Sequence, residues 1–198
     1  MFSLERLCKL LTKKLAQNIF IEEEEIEIIE YGFHLIISET SKLLLTLIIM
    51  NSIGFLYYSI FVIVTFGVLR NFLGGVHAKT HIGCFISYLS TIFLIVLLGK
   101  VTTKLQCIII TVSILPYVIS TIKKYAPADT QEKPIVSEIQ RKHLRKIGLF
   151  AVIILIIFSI FINSPFSGFI IFTIFAETIL MRPAAYKLFK SSFSMERN

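Results

Sequence analysis

Hydrophobic residues fall along this chain in long runs separated by short polar stretches, and the run lengths predict the elements. Residues 43–69 form the longest run, interrupted by Asn51, Ser52 and Gly54. Residues 82–98, 105–122, 147–163 and 165–181 follow. Each of these four approaches the roughly 17–25 residues that a helix needs to cross the hydrocarbon core of a bilayer. Pro116 lies inside one of them and predicts a kink. Residues 34–69 are long enough for two passes, about 34–50 and 53–69, or for a segment that dips in and returns. The first pass carries Glu39 and Lys42. The expected fold is all-α, a polytopic membrane protein with about six transmembrane helices, one or more of them broken or re-entrant.

Ahead of the spans the pattern changes. Leu4, Leu7, Leu11, Leu15 and Ile19 recur at helical spacing among Lys9, Lys13 and Lys14. That predicts an amphipathic helix over 2–20, resting in the membrane interface or packed on the protein. Residues 22–30, EEEEIEIIE, then reverse the charge. They read as a solvated helical face or as a surface for a basic segment. No internal repeat is evident, so nothing favours a transporter built from duplicated halves.

Composition supports the membrane reading. The 198 residues are 55% hydrophobic and 17% charged, with a mean hydropathy of +0.79. A soluble core of this size cannot hide so much apolar surface. The formal net charge is +7. The cations cluster between the apolar runs, which points to topology and to anionic membrane lipid as a partner, not to nucleic acid. Residues 123–146 hold Lys123, Lys124, Lys133, Arg141, Lys142, Arg145 and Lys146 and are placed in the cytoplasm. The uncharged turn Asn163–Ser164–Pro165 then lies outside, and the tail with Arg182, Lys187, Lys190 and Arg197 inside. By the same alternation residues 70–81 and the N-terminus are cytoplasmic. Three cysteines, Cys8, Cys84 and Cys107, suggest no disulfide framework. No cleavable signal peptide is expected from the charged N-terminal stretch.

The segment richest in chemistry is 70–84, RNFLGGVHAKTHIGC. A thiol is a poor nucleophile until a base takes its proton, and His77 and Cys84 supply the two groups. On a straight helix seven residues rise about 10 Å, too far for a hydrogen bond. The backbone must therefore bend between them, and Gly74, Gly75 and Gly83 permit close turns. By spacing alone this pair is a weak signal, since a cysteine on an apolar span is more often a packed side chain. His77, His81 and Cys84 also have ligand spacing for zinc on one helical face, although no fourth ligand is apparent.

The same residues resemble the signature region of the AgrB family, accessory gene regulator protein B of Gram-positive bacteria. The matching positions are Arg70, Gly74, Gly75, His77, Ala78 and Cys84. YAPADTQEKPI at 125–135 is similar to the family's loop between spans, and FAETILMRP, with Glu177 and Pro183, to its intramembrane acid. The resemblance covers nearly the whole chain. It implies a cysteine endopeptidase that removes the C-terminal tail of an AgrD-like pro-peptide, with His77 and Cys84 catalytic. The acyl group would pass from Cys84 to a substrate thiol or hydroxyl, giving a cyclic quorum-sensing peptide. It also implies a homodimer in the bacterial cell membrane, with both termini and the active site on the cytoplasmic side. The chain then divides into a cytoplasmic region over 1–33, a transmembrane catalytic domain over 34–183 and a cytoplasmic tail over 184–198. No cofactor or metal is called for, and no phosphate-binding loop is present.

Other residues have open roles. Arg70 would meet a substrate carboxylate, meet a lipid phosphate or anchor its span, and Lys79 likewise. Gly74 and Gly75 would offer N–H groups to an oxyanion or merely allow the turn. Glu177 is costly in lipid and needs a partner. Asp129, Lys133 and Pro134 would shape their loop or guide the substrate tail. Two other functions compete: a peptide transporter without chemistry, and a metal-binding membrane protein.

Overall fold

The computed structural model describes residues 10, 12–14, 23–76, 78, 80–129 and 137–189. From Glu23 onward the described residues form the helices α1 (Glu23–Ser52), α2 (Leu56–Leu73), α3 (His81–Val101), α4 (Lys104–Tyr125), α5 (Glu138–Phe161), α6 (Phe166–Leu180) and α7 (Pro183–Leu188). Among the described residues there is no strand, only an isolated bridge between Gly74 and Ala128. Five helices are long and apolar enough to cross a membrane, with α6 a shorter apolar sixth. The polytopic all-α expectation therefore holds. Most of the amphipathic segment predicted over 2–20 lies outside the described residues, as does the tail from 190.

The chain forms two compact units, residues 1–49 and 50–198. The first consists largely of α1, which begins in the acidic run well before the span expected from residue 34. Glutamate is a good helix former, so the solvated acidic stretch and the apolar stretch merge into one helix. Glu39 and Lys42, the two charges inside it, pair at 2.7 Å one turn apart. The helix ends at Ser52, and Gly54 turns the chain with a φ of 77°.

The second unit is a bundle built around α6. This helix packs against α2, α3, α4 and α5 and buries Ser167 to Ile171, Thr173, Ile174, Glu177 and Thr178. At 15 residues it rises only about 22 Å, less than the roughly 30 Å hydrocarbon core. Ser167 and Thr178, near its two ends, are buried in the protein. Lipid does not drive apolar helices together, and close backbone approach does. Gly99 of α3 and Gly168 of α6 provide it: a Cβ on Gly168 would stand 2.9 Å from the Gly99 Cα.

Local signals set the turns. Thr103 caps α4 in a reciprocal box with Gln106. Ser164 donates to the Thr102 carbonyl at 2.6 Å, tying the α5–α6 turn to the α3–α4 turn. At the same end Lys104 donates to the carbonyls of Ser159 and Ile162, which close α5, and Lys100 lies over the rings of Phe55 and Tyr58. Helix α4 runs unbroken through Pro116 and stops at Tyr125, before the Ala126–Pro127 pair. The opposite end of the bundle collects the end of α2, the start of α3, the 126–129 loop, the start of α5 and the end of α6.

Candidate active site

Beneath that end lies one apolar cluster. Leu69, Leu73 and Val76 pack with Val118, Ile122, Ala126, Ala128, Ile174, Met181 and Tyr186. It gives the polar residues above it a fixed floor, because a close-packed interior resists displacement.

On this floor residues 74–76 form a short extended strap. Gly74 donates to the Arg70 carbonyl at 3.0 Å and closes α2. Gly75 donates to the Ala128 carbonyl at 2.7 Å, Ala128 returns a bond to Leu73 at 2.8 Å, and Val76 donates to Leu180 at 3.1 Å. The strap is thus stitched to the 126–129 loop on one side and to the end of α6 on the other. Gly74 and Gly75 hold φ angles of 71° and 139°, a region open to glycine. A Cβ on Gly74 would strike the Ala128 carbonyl, and one on Gly75 the Arg70 guanidinium. Both glycine N–H groups are spent on these bonds, which favours the turn-permitting role over the oxyanion one.

Two ion pairs surround the strap. Arg70, in the last turn of α2, lies 3.5 Å from Glu177 of α6, whose side chain is 0% exposed. The same guanidinium donates to the carbonyls of Gly74 and Val76 and lies over the Phe66 ring. These contacts hold Arg70 against its own protein while its side chain stays 19% exposed. Glu177 has Arg70 as its ion-pair partner, while neither of its buried carboxylate oxygens accepts a hydrogen bond among the described residues. The second pair joins Asp129 to Arg141 at 2.8 Å. Arg141 also donates to the Pro127 carbonyl at 3.2 Å and Arg145 to Ala126 at 2.6 Å. Tyr186 of α7 donates to the Asp129 carbonyl at 3.3 Å. Burial pushes the Tyr186 hydroxyl above its usual range, so it stays a neutral donor. Of the two roles open for Asp129, this network supports the shaping of the loop.

Cys84 stands beyond the strap. Helix α3 starts at His81, with Thr80 as N-cap accepting from the Gly83 N–H at 3.1 Å. Cys84 donates its N–H to the Thr80 carbonyl at 2.8 Å and so belongs to the first turn. Its side chain is half-buried and not disulfide-bonded. Ala78 and Thr80 are not helical, so the chain does bend ahead of Cys84. Among the described residues no three His, Cys, Asp or Glu side chains converge as metal ligands. His77, Lys79, Lys133 and Pro134 lie outside the described residues.

Of the residues singled out from the sequence, the structure brings Arg70, Gly74, Gly75, Asp129 and Glu177 together at the end of the bundle where α3 starts, with Cys84 in its first turn. Arg141, Arg145 and Tyr186 were missed as parts of this arrangement. The two arginines had been counted only as cytoplasmic charge. Tyr186 carried no signal, since it lies outside every recognised motif.

Comparison with known proteins agrees with this architecture. The family model Accessory gene regulator B matches residues 8–181. A putative AgrB-like protein of Clostridium acetobutylicum is 25% identical over 201 residues, covering 98% of this chain and 94% of the relative. Another, from Clostridium perfringens, is 28% identical over 148 residues, 72% of this chain and 69% of the relative. Accessory gene regulator protein B of Staphylococcus aureus strain MW2 is 24% identical over 161 residues, 80% of this chain and 83% of the relative. No solved structure matches. With the matched region running from near the N-terminus to the end of α6, and the multi-helix membrane architecture beside it, the chain belongs to the accessory gene regulator B family.

Proposed function

We propose that the protein is a membrane cysteine endopeptidase of the accessory gene regulator system, with Cys84 as nucleophile and His77 as its base. The observation that carries this reading is the setting of Cys84. It occupies the first turn of α3, at the end of the bundle where the Arg70–Glu177 and Asp129–Arg141 pairs hold the neighbouring backbone. An anionic sulfur there meets the positive end of the helix dipole. Val76, the residue bonded to His77, is fixed through both its N–H and its carbonyl. Catalytic groups on a rigid frame lose little entropy on reaching the reactive geometry.

The chemistry follows from these groups. The Cys84 thiolate attacks the scissile carbonyl of a pro-peptide of the AgrD type. His77 gives its proton to the departing amine of the C-terminal tail. The remaining acyl group is a thioester on Cys84. Attack by a thiol or hydroxyl of the same peptide forms a ring and releases the enzyme, whereas attack by water gives a linear product. Exchange between thioesters is nearly isoenergetic, so the second transfer, onto a substrate thiol, needs no nucleotide. Excluding water from the intermediate favours the ring, and a site at the membrane boundary serves that end. Residues 34–183 form the catalytic domain in this reading, working as a homodimer with its site at the cytoplasmic face. Lys79 and Lys133 stand as further supporting positions on the residues 70–84 and 125–135.

Co-expression with the pro-peptide, read by mass spectrometry, tests the proposal. Cys84→Ala and His77→Ala should each abolish tail removal while the protein still inserts in the membrane. Tail removal that persists in Cys84→Ala would mean the nucleophile lies elsewhere.

A further inference from the structure

We infer that Arg70 and Glu177 are positioning residues, a latch that sets where His77 stands relative to Cys84. The inference rests on the proposed His77–Cys84 chemistry and adds a reason why that chemistry needs a charge pair which touches no substrate. The 74–76 strap leads directly into His77. Its outer contacts are backbone bonds to Ala128 and Leu180. Its inner contact is the Arg70 side chain, which reaches back from α2 to the carbonyls of Gly74 and Val76. The Arg70 side chain is 19% exposed, and a partly buried cation is favoured by an opposite charge beside it. Glu177 supplies that charge from α6, 3.5 Å away and out of solvent, with no hydrogen bond to either of its oxygens among the described residues.

The geometry explains the choice of residue types. A guanidinium offers several donors in a fixed fork, enough to face a carboxylate and carbonyls at once. A lysine has the charge without the fork. Gly75 is required because a Cβ there would occupy the space of the guanidinium. The acid must come from α6 because that helix also presents the Leu180 carbonyl that receives Val76. One helix therefore fixes the strap twice, by backbone at Leu180 and through Arg70 at Glu177. A misplacement of about 1 Å in a catalytic group costs on the order of a hundredfold in rate, so loss of the latch should be felt at the sulfur without any change of fold.

The test reads Cys84 directly and needs no peptide. Full-length protein with Cys8→Ser and Cys107→Ala is placed in proteoliposomes, and alkylation of Cys84 by iodoacetamide is followed from pH 6 to pH 10. His77→Ala should slow alkylation near pH 7 about tenfold and leave the rate at pH 10 unchanged, where a thiol ionises unaided. Two latch variants are then compared, Arg70→Lys and the double variant Arg70→Met with Glu177→Met. The double variant removes both charges together, which a fold tolerates far better than losing one partner. Both variants should reproduce the His77→Ala profile, with membrane insertion and thermal midpoint close to those of the parent. A parent-like profile in either variant overturns the latch. So does slowing that extends to pH 10 or that follows loss of inserted protein, because the pair would then be serving the fold alone. If His77→Ala itself leaves the profile unchanged, the His77–Cys84 pairing is what fails, and the latch falls with it.

Discussion

Asp129 illustrates how much of this end of the molecule depends on single charges. Its side chain is 1% exposed and lies 2.8 Å from Arg141, while Arg141 also holds the Pro127 carbonyl. Removing one partner of a buried pair strands the other charge, at a cost of about 3 kcal/mol. Asp129→Asn and Arg141→Gln are therefore each expected to lower the thermal unfolding midpoint in detergent. The double variant should lose less than the sum, the mark of direct coupling. Additive losses would show that the two residues act separately. At this scale the sequence revealed the acid and hid its partner. Asp129 stands in a recognisable loop, but Arg141 lies 12 residues on, across a segment without periodicity, among other cations. Arg70 and Glu177 are harder still, since 107 positions separate them and only the fold joins α2 to α6.

The elements were more legible than their surroundings. Each apolar run became a helix, and the turns fell at the residues that interrupt the runs: Gly54, Thr102–Thr103 and Asn163–Pro165. The acidic run, read as a solvated helical face, is the first part of α1. The central position of α6 was not legible, since a run of apolar residues reads the same whether it faces lipid or protein. The clue was its small residues, Ser167 and Gly168, which let backbones approach. Gly168→Leu and Gly99→Leu should each force α3 away from α6, lowering the unfolding midpoint and the yield of inserted protein. Gly67→Leu is the control, because a Cβ at Gly67 meets nothing within 4 Å. Equal effects at all three positions would rule out a specific contact between these two helices.

For the molecule as a whole, charge distinguishes the two ends of the bundle. The candidate site end carries Lys123, Lys124, Lys142, Lys146 and Lys187 exposed. The opposite end has Lys100 and Lys104, and both are engaged, one over aromatic rings and the other at the carbonyls that close α5. Cationic loops stay in the cytoplasm, so the asymmetry supports a cytoplasmic site. Single cysteines placed at Lys142 and at Asn163, in a chain lacking its own, make this testable in intact cells. A membrane-impermeant maleimide should label Asn163→Cys and spare Lys142→Cys until the cells are opened. The reverse pattern would turn the molecule over and put the site outside.

The central claim is that peptide cleavage passes through an acyl group on Cys84, and intact-mass analysis of the enzyme during turnover examines it most directly. Purified protein mixed with the pro-peptide and quenched in acid should carry an adduct equal in mass to the peptide without its tail. The adduct should map to Cys84, be released by hydroxylamine and be missing from Cys84→Ala. Turnover with no adduct on Cys84 under any quench, together with tail removal by Cys84→Ala, would contradict the account.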